Sequence, residues 1–250
     1  MKKNITKTFV VGMAFLTTAC SDYLEVDKYF EDRMTVEKVF KDRDYSEQWL
    51  ADTYSHLNGS VQEIANKNWT PQNFADDMFY SDFSEQGEMA GAHYVKFKNA
   101  TYDENWYNAT WDECYKGIRK ASIFIHNIDI NKDFTPEEIL DYKAQARFVR
   151  AYYYWVLLKK YGPIPLLPDE GADYTEDYDK LSIPRSTYDE CVKFISDEMI
   201  LAAKDLPLKR DLYAAARPTR GAALATRAKA LLYAASPLML SLIHISEPTR

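Results

Sequence analysis

One segment constrains the fold of this chain more than any other: residues 135–163 predict a long helix with two defined ends. Thr135 supplies a capping hydroxyl, a proline follows at the first helical position, and Glu138 completes a capping box. Gly162 and Pro163 end the helix, because proline cannot continue it and glycine suits a left-handed cap. The segment therefore predicts a helix of about seven turns.

Apolar residues recur along this helix on two seams. The first seam consists of Ala144, Phe148, Ala151, Trp155 and Leu158, and the second consists of Val149, Tyr152 and Val156. A surface helix has one apolar face, so two seams indicate burial on two sides. The alanines are small enough to let a neighbouring helix approach closely. This helix is therefore expected to lie between others in a mainly α-helical core.

Four further segments show helical periodicity or helix-favouring composition. The stripe in residues 44–59 is Tyr45, Trp49, Leu50, Thr53, Tyr54 and Leu57, before Gly59. The stripe in residues 111–128 is Trp111, Tyr115, Ile118, Ser122, Ile125 and Ile128. Thr187 and Glu190 stand in capping-box register before Tyr188, Val192, Ile195, Met199 and Ala202. The last helix is predicted over about 219–236, where "GAALATRAKALLYAA" favours helix and Pro237 ends it.

Composition supports a globular helical protein and excludes some partners. Hydrophobic residues make up 46% and charged residues 28%, and eight glycines are few for a loop-rich β protein. The formal charge is −7. An acidic chain of this kind is not expected to bind nucleic acid or anionic lipid through its overall charge. No clean tetratricopeptide period is found, so periodicity alone does not establish a solenoid.

The N-terminus predicts a bacterial lipoprotein signal. Lys2, Lys3 and Lys7 form a positive region, and residues 8–16 form an apolar run too short to span a bilayer. Ala19 then precedes Cys20, which is predicted to be lipidated after residues 1–19 are removed. An ordinary secretory signal with an incidental cysteine is the alternative. On the lipoprotein interpretation, membrane attachment comes from acyl chains.

The C-terminus raises a different question. "SLIHISEPTR", residues 241–250, breaks the preceding helix pattern and matches what a transposase-based sequencing adapter would encode. We therefore predict that residues 240–250 are a sequencing-adapter scar and that residues 20–239 are the N-terminal portion of a longer domain. The alternative is a natural C-terminus, and unrelated synonymous codons in the gene would support it.

Three ordered motifs resemble one family. "QARFVRAYYYWVLLKKYGPIPLL" (145–167) resembles the "EARFLRAYYYFNLVRLYGxVPL" signature of the SusD/RagB outer-membrane lipoproteins of Bacteroidetes. "PRSTYDECVKFISDEMILAAKDLP" (184–207) is similar to the Arg-Ser-x-x-Glu helix of that family, and "RPTRGAALATRAKALLYAASPL" (217–238) to its "KGAALALKARVLLYAASP" helix. "CSDYLEV" matches the lipidated start. Gln145 replaces a common glutamate, and Glu198-Met199 replaces Asp-Leu.

The resemblance implies both a fold and a function. The expected fold is a superhelix of tetratricopeptide-like helical hairpins with a loop-rich insertion. The expected function is capture of an oligosaccharide or another polymeric nutrient at the cell surface. Members deliver it to a SusC-like TonB-dependent transporter, without cleaving it and without a cofactor. The resemblance does not name the ligand, because binding residues vary within the family.

A segment rich in aromatic and polar residues is the predicted ligand site. Residues 69–111 contain eleven aromatic residues in 43 positions, whereas aromatic residues form 14% of the whole chain. Aromatic faces pack against the C–H faces of sugar rings, while amides and carboxylates bond hydroxyl groups. The candidate ligand residues are Trp69, Asp76, Asp77, Tyr80 and Trp106. The alternative is that these rings form the core of the insertion, and Trp111, which begins a periodic stripe, is assigned there.

Catalytic and metal-binding interpretations find little support in the sequence. His56, His93 and His126 show no ligand spacing, and no Gly-rich phosphate loop or Gly-x-Ser-x-Gly elbow occurs. Asp76-Asp77 could serve a glycosidase, but adjacent residues in an extended segment point to opposite sides. Residues 169–180 are acidic but lack the order of a calcium loop. Cys114 and Cys191 are expected to be core residues.

The second function considered is a helical-repeat surface adaptor that binds protein or peptide rather than glycan. Its fold would be the same, so only the ligand distinguishes the two.

Overall fold

The computed structural model describes residues 34–57, 110–169, 182–237 and 239, and the following account concerns these residues. The chain divides into two compact units, Met1–Val39 and Phe40–Arg250. In the first, Thr35 Oγ1 accepts a hydrogen bond from Lys38 N at 3.2 Å, at the start of a short helix. The described residues contain helices, turns and coil, and no strand.

Among the described residues, five helices follow one another as the sequence predicts, and a short helix that was not predicted precedes them. They are α1 (Val36–Lys41), α2 (Arg43–Ser55), α3 (Thr110–Asn127), α4 (Pro136–Tyr161), α5 (Tyr188–Asp205) and α6 (Arg220–Ala234). A 3₁₀ turn, Ile128–Ile130, follows α3. The capping boxes at Thr135 and Thr187 are both formed, which confirms the predicted starts of α4 and α5.

The end of α4 is confirmed with one difference. The Gly162 N–H donates to the Leu158 carbonyl oxygen at 3.0 Å, so the chain leaves the helix where Gly162-Pro163 predicts. Gly162 has φ 67° and ψ −142°, which lies outside the left-handed helical region. Essentially only glycine can adopt this conformation. Glycine is therefore required at position 162, although the backbone does not form the left-handed cap that the sequence predicts.

Each of the helices α2 to α6 packs antiparallel to the helix that is next to it in the sequence. The beginning of α3 lies at the end of α4, where the Trp111 and Tyr161 ring centroids are 5.1 Å apart. Helix α4 packs between α3 and α5, and α6 packs mainly on α5. Hydrogen bonds between charged side chains join α4 to α5. In one of them, Arg147 Nη1 donates to Glu198 Oε1 at 2.8 Å. The described residues thus form the stacked helical hairpins that the resemblance implies.

Helix α4 is more completely buried than the two predicted seams require. All six residues from 153 to 158 are buried, so this part of the helix contacts protein on every side. Phe148 and Tyr152 are only partly buried and stack on each other, with centroids 6.1 Å apart. Tyr45, the first residue of the α2 stripe, is 43% exposed, so the stripe is not buried along its whole length. Helix periodicity does not specify how far a neighbouring helix extends along a face.

The α3–α4 contact depends on the absence of a side chain at Gly117. A Cβ atom there would lie 2.3 Å from Cε2 of Tyr153, a ring that is fully buried. The Tyr153 hydroxyl donates to the Thr53 carbonyl oxygen at 2.5 Å, so the ring is fixed at its far end. The ring cannot move away without breaking this bond.

We therefore expect Gly117→Ala to lower the free energy of unfolding by about 1–3 kcal/mol, the usual effect of overpacking. Urea denaturation followed by circular dichroism measures it. Gly221→Ala is the matched control, since its added Cβ meets only Thr219 Oγ1 at 3.8 Å. A loss for Gly117→Ala no larger than that for Gly221→Ala would contradict the close packing.

Candidate functional site

The predicted ligand-binding segment leaves the helical bundle after α2 and returns to it at α3. Its five candidate residues, Trp69, Asp76, Asp77, Tyr80 and Trp106, lie outside the described residues, as do Cys20 and His93. The structure describes the two attachment points, Leu57 and Thr110. These predictions therefore stay predictions, and the geometry of the attachment points is the evidence that the structure adds.

The first attachment point is held by a hydrogen bond between His56, which caps the end of α2, and α3. His56 Nδ1 lies 2.8 Å from Glu113 Oε2, and Glu113 Oε1 accepts from Lys116 Nζ at 3.0 Å. The hydrogen bond from His56, followed by the one from Lys116, holds the pKa of Glu113 below its usual value. The last residues of α2 are thus fixed to the first turn of α3.

The second attachment point is held by α4. Lys160 Nζ donates to Thr110 Oγ1 at 2.8 Å, at the first residue of α3. The neighbouring ring of Trp111 meets Tyr161 edge-on, at 85° between the ring planes. The end of α2, the start of α3 and the end of α4 therefore lie together, and both ends of the aromatic segment arise from this one end of the bundle.

An aromatic row extends from this end into the core. Successive ring centroids lie 5.1 Å apart for Tyr161–Trp111, 5.0 Å for Trp111–Tyr115, 6.4 Å for Tyr115–Tyr154 and 5.1 Å for Tyr154–Phe194. Arg185 lies 5.6 Å from the Trp111 centroid. Trp111 is thus packed on neighbouring rings, which confirms its assignment to the helical stripe rather than to a free ligand platform.

A buried ionic cluster lies further along α4, and sequence reasoning did not single it out as a site. Arg150, 1% exposed, donates to Glu198 Oε2 from Nη2 at 2.6 Å and to Ser122 Oγ from Nη1 at 3.1 Å. Its Nη1 also donates to Asp169 Oδ1 at 2.6 Å. An arginine between the buried positions 149 and 151 was the signal that could have indicated this cluster.

Electrostatic interactions within the cluster favour the charged forms of Arg150 and Asp169. Burial lowers the pKa of Arg150, but the neighbouring carboxylates of Glu198 and Asp169 outweigh it and raise that pKa overall. Desolvation raises the pKa of Asp169, and the Arg150 charge and hydrogen bond reverse this and lower it. His126 Nε2 lies 3.4 Å from Asp169 Oδ2. The cluster fixes the segment after α4 to the core, which is a structural role.

The described residues show no arrangement for metal binding or thiol chemistry. Among them, no three His, Cys, Asp or Glu side chains are grouped as metal ligands. Cys114 and Cys191 are buried and unpaired, which confirms that they are core residues. Burial raises the pKa of Cys114 to about 12, so its thiol is protonated and unreactive at neutral pH. In the part of the chain that the structure describes, no helix is apolar over the length needed to cross a bilayer.

Comparisons with known proteins agree on one family. The model of the SusD-like family, described as starch-binding and associating with the outer membrane, matches residues 22–232. A SusD-like protein of Formosa agariphila is 34% identical over 56 residues, which is 22% of this chain and 11% of that protein.

Solved structures give the same fold. A SusD-like protein from Bacteroides fragilis has a TM-score of 0.62 and 22% identity, over 83% of this chain and 37% of the other. A laminarin-binding SusD-like protein has a TM-score of 0.65 and 19% identity, over 77% of this chain and 40% of the other. These likenesses confirm the helical-hairpin fold. This chain spans well under half the length of either solved relative.

Proposed function

The chain belongs to the SusD-like family of starch-binding, outer-membrane-associated proteins, and we propose that it captures a glycan for uptake into the cell. It acts by binding and not by cleavage. The captured oligosaccharide passes to a SusC-like TonB-dependent transporter. Cys20 carries the lipid that holds the protein at the outer membrane, with its binding domain exposed on the cell surface.

The observation that carries this proposal is the aromatic segment together with the place where it is attached. Residues 69–111 combine aromatic rings with Asn and Asp side chains, the two chemistries that sugar recognition needs. Both ends are pinned at one end of a rigid bundle, at Leu57 by the His56–Glu113 pair and at Thr110 by Lys160. The two residues between which the segment runs are therefore fixed relative to each other.

The laminarin-binding relative is consistent with a glycan ligand, although its sequence is too distant to transfer the sugar. The second candidate, an adaptor for protein or peptide, is favoured by one observation. Leu224, Leu231 and Leu232 of α6 are 47%, 39% and 71% exposed. Screening against both a glycan array and peptide ligands separates the candidates, since the proposal requires saturable glycan binding.

Removing a single platform ring is the direct test of the glycan site. We expect Trp106→Ala, and separately Trp69→Ala, to weaken glycan binding by about 1–3 kcal/mol, the scale of one aromatic contact of ~100 Å² or less. Calorimetry on the polysaccharide that induces the gene measures it. The complete gene product is the protein to use, since the exposed leucines of α6 are expected to promote aggregation of residues 20–239 alone.

Tyr45→Ala is the matched control, because Tyr45 is an exposed aromatic residue at the start of α2, away from the attachment points. Unchanged affinity in both tryptophan variants would show that those rings belong to the core of the insertion and do not contact the glycan. Absence of glycan binding by the wild-type protein would instead contradict the proposed function itself.

Anchoring has its own test. We expect Cys20→Ala to release the protein from membranes into the soluble fraction, because the predicted lipoprotein signal places the acyl chains on this cysteine. Fractionation of cells followed by immunoblotting measures the change. Replacement of Ser21 by Ala, next to the lipidation position, is the control and is expected to leave the protein membrane-bound. Retention of the Cys20→Ala protein at wild-type level would contradict a lipid anchor.

A further inference from the structure

Helix α6 carries an apolar stripe on its outward face. The exposed residues that form this α6 stripe, at helical spacing, are Leu224, Ala228, Leu231, Leu232 and Ala235. The buried residues of the same helix, Ala223 and Ala230, lie on a different side of it. The helix therefore has two apolar faces, and only one of them is covered.

The covered face of α6 is the one that packs on the preceding helices. Arg227 Nε donates to Ser196 Oγ of α5 at 3.0 Å, and the Tyr233 ring meets Trp155 of α4 edge-on. Neither contact involves the α6 stripe. Among the described residues no helix covers the stripe, since all five of its members are exposed.

The opposite end of the stacked helices has a different outward face. Helix α2 is the first of the helices α2 to α6, and it packs on α3 and α4. The exposed residues at helical spacing on its outward face are Asp44, Gln48, Ala51 and Ser55. Three of these four side chains are polar, whereas all five members of the α6 stripe are apolar. The two ends of the stack are thus chemically unlike.

The difference matters because stacked helical hairpins bury their apolar faces against one another. A hairpin at a free end has no further neighbour, so its outward face must be polar to stay soluble. Helix α2 meets this requirement and α6 does not. The alanines of the α6 stripe also leave room between the leucines for the large side chains of a neighbouring helix. Helix α6 therefore has the surface of an internal helix in a longer stack.

We propose that a helix encoded after α6 in the complete gene packs along the α6 stripe and continues the stack. The two solved relatives match this chain over 37% and 40% of their own lengths, so most of each relative lies outside the match. Residues 20–239 are likewise predicted to be the N-terminal portion of a longer domain. A helix of the same chain is held at a high effective concentration, which favours it over a second copy or a separate partner.

This contact does not depend on glycan binding. It also accounts for the exposed leucines that favour a protein or peptide adaptor, without a partner from outside the chain. The covering helix is expected to be amphipathic, with large apolar side chains that face the alanines of the stripe.

Thiol labelling of the complete gene product tests the proposal. The protein carries Cys20→Ala, which leaves it unanchored, and it is purified as a monomer. Cys114 and Cys191 are buried, and the protein without an added cysteine gives the background for every native thiol. Leu232→Cys places a new thiol on the α6 stripe. Ala228→Cys does the same with a smaller change in volume, so the test remains available if Leu232→Cys fails to fold.

Gln48→Cys is the matched control, because Gln48 lies on the exposed outward face of α2 at the other end of the stack. We expect a maleimide to label both stripe thiols about tenfold or more slowly than the control thiol, since labelling of a covered thiol requires local opening. In concentrated guanidinium all three are expected to react at similar rates. Circular dichroism verifies that each variant is folded.

Equal labelling of the stripe and control thiols in the native protein would overturn the proposal. Protection that is lost on dilution would assign the stripe to a second copy of the chain. Protection that appears only after another protein is added would assign it to a separate partner. Either of these results overturns the proposal, and so does a natural gene that ends at codon 250, because it encodes no further helix.

Discussion

Replacing Trp155 by alanine is expected to cost about 3–5 kcal/mol of unfolding free energy, the usual range for deletion of a buried aromatic ring. Trp155 is fully buried in the C-terminal half of α4. Its ring meets Tyr233 of α6 edge-on at 5.0 Å between centroids, and Lys159 Nζ lies 5.0 Å from its centroid. The cavity left by the ring would open between helices that cannot collapse onto it independently.

Equilibrium denaturation in urea, followed at 222 nm by circular dichroism, measures this loss. Trp155→Phe is the graded control, because a phenyl ring keeps part of the contact with Tyr233 and should cost distinctly less. Trp49→Ala is the positional control, since Trp49 is only half-buried, although its Nε1 donates to the Lys120 carbonyl oxygen at 3.0 Å. A Trp155→Ala loss below 1 kcal/mol would show that the buried face of α4 has been misassigned.

The second large effect is expected at Glu198. This carboxylate is 6% exposed and accepts from Arg147 Nη1 at 2.8 Å and from Arg150 Nη2 at 2.6 Å. Glu198→Ala would leave the Arg150 guanidinium in the core with Asp169 and Ser122 as its remaining partners. Removing one member of a buried ion pair costs roughly 3–5 kcal/mol, and we expect the lower end because two partners remain.

A double substitution tests whether the loss in Glu198→Ala comes from leaving the charge of Arg150 unpaired. Arg150→Met with Glu198→Leu removes both charges, and we expect it to recover most of the stability lost in Glu198→Ala. Asp169→Asn is the control for the outer side of the cluster, since Asp169 is half-exposed and exposed pairs contribute little. A Glu198→Ala protein as stable as wild type would show that water reaches Arg150 and solvates it.

Local signals in the sequence determined where α4 and α5 begin and where α4 ends. Thr135 and Thr187 each precede a glutamate by three residues, and both capping boxes form, because the bonds involve only neighbouring residues. The apolar spacing in α3 and α5 likewise predicted which residues are buried there, including Ile118, Ile195 and Met199. Family membership followed from three motifs in order, which a model matching residues 22–232 confirms.

The tertiary structure decided what depends on residues far apart in the chain. Gly117 faces Tyr153 across a helix contact, and Arg150 meets Glu198 across 48 residues, so neither relation follows from spacing along one helix. Tyr45 fits a helical stripe, yet it is exposed because no neighbouring helix covers that position. Periodicity defines which residues share a face, but burial depends on whether another element covers that face, and a buried charge persists only where a partner of opposite charge arrives from elsewhere.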